Sequence, residues 1–482
     1  MIHVNVSNNI ILTGLPEATK KALKQSLTIE NKDYWKFKKM GIFAPLDFKY
    51  YVDPKGFLPE HGALEMSRGC LTRLLAYLEK SSVKYEIVYN LVDKPAKLGI
   101  STLTLRDYQV PIVEPIVAMK ASEGLLVSST GSGKTLMALE IAHRLGLSTT
   151  FLVINSVIAD QFVSEAKRFY GIDAARIDGK HKEVSDLTVA TFQSLYDNDE
   201  LLKKLSDNTS LLIVDEAQGV VSKERAKVLS SFRAKHMLGL TATPSREGSL
   251  TPAIFFLLGH PLVEHQMEQA QPVIEVIRTG AQIPMSDRYD EVITAMVENE
   301  SRNKLIAGLV VGNALEGKKT LVLTKRRNHY ALLRDRFIPN VSDGFIYIDS
   351  DDKGRNDVLA ELKRSAKRFT CIFGTTSLLS VGTDIPSLDT LILACDMKSS
   401  VLTQQSVGRI LRLFDGKPTP RIIDLYDDKN PVLASQFKSR LDLYKQKGWE
   451  ISHYFKCPKC KEAFTWYRRE YLIHNARCYG RK

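Results

Sequence analysis

Two successive series of short apolar strands, each strand followed by a loop and an amphipathic helix, predict an α/β protein with two tandem parallel-sheet lobes. The first series has strands at 124–128, 150–154, 187–190, 211–214 and 237–240. The rhythm restarts past 260 with strands at 320–323, 345–348, 371–373, 390–393 and 421–424. Strands separated by helices need crossover connections, so both sheets are expected to be parallel. The ends of the chain differ in texture. A small α+β domain is expected before the lobes, and a basic tail with clustered Cys and His after them. The boundaries read as 1–96, 97–262, 263–435 and 436–482.

A chain of 482 residues exceeds one compact core and fits about three domains of ordinary size. With 44% hydrophobic and 25% charged residues it is not a disordered chain. No apolar run approaches the roughly 20 residues of a membrane helix. The opening Met1-Ile2-His3-Val4-Asn5-Val6 lacks the basic-then-apolar pattern of a secretory signal, so a soluble cytoplasmic protein is expected. Six cysteines are too few for a disulfide scaffold, and three of them fall in the last 26 residues, as metal ligands in a reducing compartment would. The net charge of +12 is uneven. Residues 436–482 carry 12 Lys and Arg against 4 Asp and Glu, and residues 1–100 carry 15 against 10. A nearly neutral middle between two basic ends suits a machine whose appendages hold a polyanion, while solvated surface helices give the same count.

In the first domain a strand is expected over 4–12, and Pro16-Glu17 opens a helix that runs to Leu27. Further strands are expected at 34–37 and 48–52, then a helix over 71–78. The segment Tyr34-Trp35-Lys36-Phe37-Lys38-Lys39 interleaves aromatics with bases, as a nucleic-acid stacking surface does. Its strict alternation is read first as a core strand with Trp35 and Phe37 inward. The stretch 94–101 reads as a linker.

The strand at 124–128 runs into Ser129-Thr130-Gly131-Ser132-Gly133-Lys134-Thr135, and a helix follows. Glycines let backbone N–H groups wrap phosphate oxygens, and a helix N-terminus adds its positive end. In this pattern Lys134 meets the β- and γ-phosphates of ATP and the Thr135 hydroxyl ligates Mg²⁺. The strict motif begins with Gly where this chain has Ser128. Further on, the apolar strand 211–214 ends in Asp215-Glu216-Ala217-Gln218. Asp215 is placed to anchor Mg²⁺, and Glu216 to orient and deprotonate the attacking water. Acidic strand ends often only cap helices, so this pair draws its weight from Lys134.

Asp-Glu-Ala-Gln followed by Gly239-Leu240-Thr241-Ala242-Thr243-Pro244 resembles motifs II and III of superfamily-2 helicases and translocases. Leu105-Arg106-Asp107-Tyr108-Gln109 resembles the adenine-recognition element of that group. The resemblance implies two RecA-like lobes. It also implies that Gln109 reads the adenine edge with Arg106 in support, and an amide has the donor and acceptor for that edge. The segment 375–386, with Thr375, Thr376, Gly382 and Asp384, resembles motif V. Gln405-Ser406-Val407-Gly408-Arg409-Ile410-Leu411-Arg412 resembles motif VI without departure. Arg409 and Arg412, three apart on a helix, share a face and can reach a γ-phosphate together, with Gln405 beside them. The family pattern implies that ATP closes the lobes and hydrolysis opens them. Its nucleic-acid contacts fall on Asn155, Ser156, Gln161, Thr191, Gln193, Arg246, Lys325, Arg326, Thr375 and Thr376. Hydroxyls and amides suit phosphate tracking without base readout. Each also reads as a plain loop or capping residue.

The tail spaces Cys457-x2-Cys460, thirteen residues, then His474-x3-Cys478. This can offer four tetrahedral ligands to Zn²⁺, with Phe464 and Leu472 as a tiny core. Arg468, Arg469, Arg477, Arg481 and Lys482, with Trp466 and Tyr467, suit DNA contact. A purely structural zinc staple is the plainer reading. The Gly-Phe-x-x-Pro element of RNA-directed Asp-Glu-Ala-Asp-box proteins is absent. The basic first domain, with Phe57-Leu58-Pro59 leading into a helix, is similar to bacteriophage UvsW-type recombination helicases, although the zinc module is not part of that pattern. The resemblance implies an ATP-dependent DNA helicase or translocase on forked or four-way branched DNA, in host cytoplasm if phage-encoded. The motor of a restriction system and an RNA-remodelling helicase are the alternatives. A non-enzymatic zinc-finger adaptor would need Lys134, Glu216 or Arg409 to be lost, and none is.

Overall fold

A computed structural model describes residues 1–32, 34–39, 45–54, 62–118, 123–129, 131–242, 250–266, 270–338, 344–348, 369–376, 385, 387–397, 403, 406–408 and 417–452; it also describes the backbone of 454–456 and 463–465. The chain divides into two units, Met1–Met267 and Glu268–Lys482. Among the described residues no helix is long and apolar enough to cross a membrane.

The first domain holds strands β1 (Ile2–Val6), β2 (Asn9–Thr13), β3 (Thr28–Glu30), β4 (Asp47–Lys49), β5 (Tyr51–Val52), β6 (Leu64–Ser67) and β7 (Tyr85–Tyr89). The expected strand over 4–12 is a hairpin, because the chain turns at Ser7-Asn8, where the Ser7 N–H donates to Asn9 O at 2.8 Å. Five strands form a sheet in the order β5-β6-β2-β1-β7. β1 alternates buried and exposed residues, since helices Glu17–Ser26 and Leu71–Lys80 pack into the domain's core on one side only. β3 and β4 form a separate ladder. Residues 34–37, expected as a strand, belong to a helix, Tyr34–Lys39, in the chain between them, and Trp35 is 65% exposed rather than inward. The β3–β4 ladder is complete without this segment, so its alternating pattern finds no strand to pair with.

The first domain docks on the first lobe through a short turn, 68–70. Arg68 is 2% exposed; its Nη1 donates to Ala234 O and its Nη2 to Lys235 O at 3.0 Å. At Gly69 an added Cβ would lie 2.5 Å from Gly259 N, so only glycine permits the approach. Thr72 hydrogen-bonds Glu123 at 3.3 Å.

That lobe contains β8 (Glu123–Ser128), β9 (Thr149–Val153), β10 (Ala175–Ile177), β11 (Leu187–Thr191), β12 (Leu211–Val214), β13 (His236–Thr241) and β14 (Pro261–His265). They form one parallel sheet in the order β10-β11-β9-β12-β13-β8-β14. β8, β9, β11 and β12 are buried at every residue, as strands covered by helices on both faces must be. Ala234, Lys235 and Glu123 stand at the amino ends of β13 and β8. The first domain therefore occupies the end of the sheet opposite the loops that leave the carboxyl ends.

The second unit repeats the plan with β15 (Val273–Arg278), β16 (Thr320–Thr324), β17 (Phe345–Ile348), β18 (Cys371–Thr375), β19 (Thr390–Leu393), β20 (Arg421–Tyr426) and β21 (Glu450–Ser452), in the parallel order β17-β18-β16-β19-β20-β15-β21. Helix Pro431–Gln446 and β21 carry this sheet beyond residue 435, and β14 carries the first sheet beyond 262. Beyond β21, β22 (Tyr454–Lys456) pairs antiparallel with β23 (Ala463–Thr465).

The core of the second unit contains charge. Arg440, 3% exposed, donates to Asp424 Oδ1 at 2.8 Å and Oδ2 at 2.9 Å, and to Met397 O at 3.0 Å; Tyr444 donates to Asp424 Oδ2 at 2.7 Å. Arg302 pairs with Asp427 at 3.0 Å and donates to Ala394 O at 3.1 Å. Removing one partner strands the other charge away from water. Asp424→Ala is thus expected to destabilise the second unit by about 3–5 kcal/mol, measured as a lower denaturant midpoint at unchanged slope.

Candidate functional site

The carboxyl ends of the first sheet gather its polar chemistry. β8 delivers residues 129–133 to helix Lys134–Leu145. Gly131 and Gly133 have φ of +85° and +81°, a region open to glycine at no steric cost. A Cβ on Gly133 would meet Gln109 Nε2 at 2.7 Å. Lys134 Nζ donates to Ser128 O at 2.9 Å and Ser129 O at 3.2 Å, folded into the loop that surrounds it. Among the described residues, the buried hydroxyls of Ser128 and Ser132 have no hydrogen-bond partner. Left-handed glycines, orphaned hydroxyls and a central lysine at a helix start fit a polyphosphate. Thr130 lies outside the described residues.

Two bonds fasten the adenine-element residues to this loop, and a third orients Gln109 within the element. Arg106 N–H donates to Gln109 Oε1 at 2.9 Å, Gln109 Nε2 donates to Ser132 O at 2.8 Å, and Tyr108 O–H donates to Ser132 O at 3.0 Å. Gln109 is 4% exposed, so its amide braces the phosphate loop in addition to any part it takes at adenine. Tyr108 also stacks on His265 with ring centroids 5.6 Å apart. Neither Tyr108 nor His265 was expected as a site residue. Tyr108 sat in the Arg-x-Tyr-Gln element, whereas nothing in the sequence marks His265, which reaches the site only because β14 pairs with β8.

β12 delivers Asp215 and Glu216. Burial, then the neighbouring Glu216 carboxylate, raise the Asp215 carboxyl to about 7, with Lys134 opposing. A divalent cation would relieve that cost, so Asp215 and Thr135, the second residue of the helix that Lys134 opens, fit Mg²⁺. Glu216 has φ +49° and ψ +53°, a left-handed conformation that costs a non-glycine residue about 1–3 kcal/mol. Gln218 Nε2 donates to the Glu216 carboxylate, and Thr241 O–H donates to Gln218 Oε1 at 2.8 Å. Gln218 thereby joins the ends of β12 and β13.

The nucleic-acid candidates of this lobe leave the same sheet edge, but several have structural work. Asn155 Oδ1 accepts from Val157 N at 3.1 Å and Ile158 N at 3.0 Å, capping helix Ser156–Tyr170. Thr191 caps helix Phe192–Tyr196 and is 6% exposed. Gln161 and Gln193 are exposed and bond Glu165 and Asp197 one turn on. Arg246 lies outside the described residues.

In the second unit Lys325 and Arg326 follow β16, and Thr375 and Thr376 stand at the end of β18. Arg326 pairs with Asp290 and donates to Thr294 Oγ1 at 2.8 Å, which ties it to helix Tyr289–Glu298. Lys325 Nζ lies 3.6 Å from the buried Asp396 carboxylate, which burial raises to about 7. Thr375 is buried. Gly382, Asp384, Gln405, Arg409 and Arg412 lie outside the described residues, as do Cys457, Cys460, His474 and Cys478.

Residues 102–246 match the family described as the res subunit of type III restriction enzymes, and residues 301–414 match the helicase conserved C-terminal domain. A protein of Acanthamoeba polyphaga mimivirus that carries the name ATP-dependent RNA helicase L396 is 27% identical over 395 residues, 77% of this chain and 73% of that one. The DNA 3′-5′ translocase XPB2 of Sulfurisphaera tokodaii is 29% identical over 194 residues, 40% of this chain and 42% of that one. The crystal structure of T4 UvsW covers 94% of this chain and 98% of its own at 16% identity, with a TM-score of 0.40. With the restriction-subunit match on the first sheet and the helicase match on the second, the chain belongs to the superfamily-2 helicases, which are nucleic-acid-dependent ATPases.

Proposed function

We propose that this protein is an ATP-dependent DNA translocase with helicase activity on forked and four-way branched DNA. The observation that carries the motor reading is the shared sheet edge: phosphate loop, Asp215-Glu216, Asn155-Ser156 and Thr191-Gln193 all follow carboxyl ends of one parallel sheet. A shift at the phosphate end of this edge is thus one strand spacing at a time from the loops that would track nucleic-acid phosphates. ATP with Mg²⁺ supplies the cleavable phosphoanhydride. Lys134 and the loop amides hold the β- and γ-phosphates, and Thr135 and Asp215 hold the metal. Glu216 orients and deprotonates the water. Gln405, Arg409 and Arg412 of the second lobe neutralise charge as the bond breaks, with Gly382 and Asp384 beside the nucleotide.

DNA is favoured over RNA by the missing Gly-Phe-x-x-Pro element and by the translocase similarity, whereas the mimivirus relative's name makes RNA the competing substrate. The basic ends support a grip on more than one arm of a junction. The zinc reading gains from the β22–β23 hairpin, whose six intervening residues include Cys457 and Cys460. Residues 457–482 would fold round Zn²⁺ and place the surrounding arginines on DNA.

Lys134→Ala and Glu216→Gln are each expected to lower ATP turnover by roughly a hundredfold or more; normal turnover in either sinks the site assignment. Turnover should rise most with forked and four-way DNA, less with linear duplex and single strand, and least with RNA, all at one salt concentration. Equal or greater stimulation by RNA would discard the branched-DNA reading and leave the ATPase standing. Elemental analysis of the purified chain should find one zinc. Removing 453–482 should abolish it and weaken DNA binding, and a zinc-free intact protein refutes the module.

A further inference from the structure

Helix Tyr34–Lys39 lies in the connection between β3 and β4, which pair at its root. Asn31 closes the root: its N–H donates to Leu46 O at 2.9 Å, its Nδ2 donates to Pro45 O at 2.8 Å, and its O accepts from Tyr34 N at 3.0 Å. Trp35 is 65% exposed on this helix. Its indole is positioned by neighbours: Tyr34 meets it edge-on with centroids 5.1 Å apart, and Lys38 Nζ lies 5.0 Å from its centroid. The ring is thus preorganised and largely in water, where exposed indole surface is costly to leave.

We infer that Trp35 is a stacking platform for an unpaired nucleobase, with Lys38 beside it for a backbone phosphate. Lys38 is exposed, so the ring sits against positive charge, which suits single-stranded nucleic acid. The inference rests on the proposed nucleic-acid motor and adds a base contact on the first domain.

The experiment uses the full chain without ATP, so it is read separately from the hydrolysis site. Binding is followed with a labelled deoxythymidine oligonucleotide, an RNA oligonucleotide of the same length and a blunt duplex. Trp35→Ala should weaken single-strand binding roughly tenfold and duplex binding far less. Trp35→Phe keeps a stacking ring and should restore most of the affinity that Trp35→Ala loses. RNA behaving as DNA does supports the same contact, since a stacked ring does not read the sugar. Unchanged single-strand affinity in Trp35→Ala, or an equal loss on blunt duplex, overturns the inference. Normal ATP turnover in Glu216→Gln would instead defeat the motor reading and leave these binding results intact.

Discussion

A strand buried on both faces has only its two ends free for polar chemistry. β8, β9, β11 and β12 are buried along their whole length, so the first lobe can place phosphate contacts, carboxylates and capping hydroxyls only where the chain leaves the sheet. Right-handed crossovers then bring every strand's carboxyl end to one edge. Lys134, Asp215, Asn155 and Thr191 come from positions spread over 82 residues of sequence, yet all follow that edge. The amino ends are left for the first domain, which docks there through Arg68 and Gly69 without crowding the phosphate loop.

Strain at the site follows from the same constraint. β12 has to stop at Val214 and turn Asp215 and Glu216 away from the sheet within two residues, and Glu216 adopts a left-handed conformation to do so. Gln218 and Thr241 hold that turn against the end of β13. A conformation that costs free energy is kept only where its surroundings over-determine it. The bridge from Glu216 through Gln218 to Thr241 supplies that support and ties the carboxylate's position to the neighbouring strand.

How much of this was legible in the sequence depends on burial. Strands covered on both faces write continuous apolar runs, and those at 211–214 and 390–393 end where the runs end. The edge strand at 345–348 keeps its expected bounds although only Ile348 is fully buried, but the other edge and near-edge strands write no such run. β10, β14 and β21 are short or half-exposed, and β15 mixes Glu275 and Arg278 into its pattern because Glu275 pairs with Arg421 across the sheet. The site motifs were legible because phosphate binding demands glycines and a lysine at fixed spacing. The clamp of Gln109 on Ser132 was not, since it depends on a contact 23 residues away. Trp35 shows the limit of periodicity: alternation permits a strand, but a strand exists only with a neighbour to accept its hydrogen bonds.

The second unit reaches order by a different route. Its sheet is equally apolar in the middle, yet helix Pro431–Gln446 is fixed by Arg440 and Tyr444 on Asp424 rather than by packing alone. A buried ion pair adds little net stability over well-packed apolar residues, because desolvation consumes most of the attraction. What it does enforce is register: sliding the helix by one turn would leave Asp424 and Arg440 both charged and unpaired. Arg440 also donates to Met397 O and Arg302 to Ala394 O, so both arginines hold backbone just past β19. The charges in this core therefore set the exit path of the chain at the carboxyl end of β19, which apolar contacts, being non-directional, would leave free to shift.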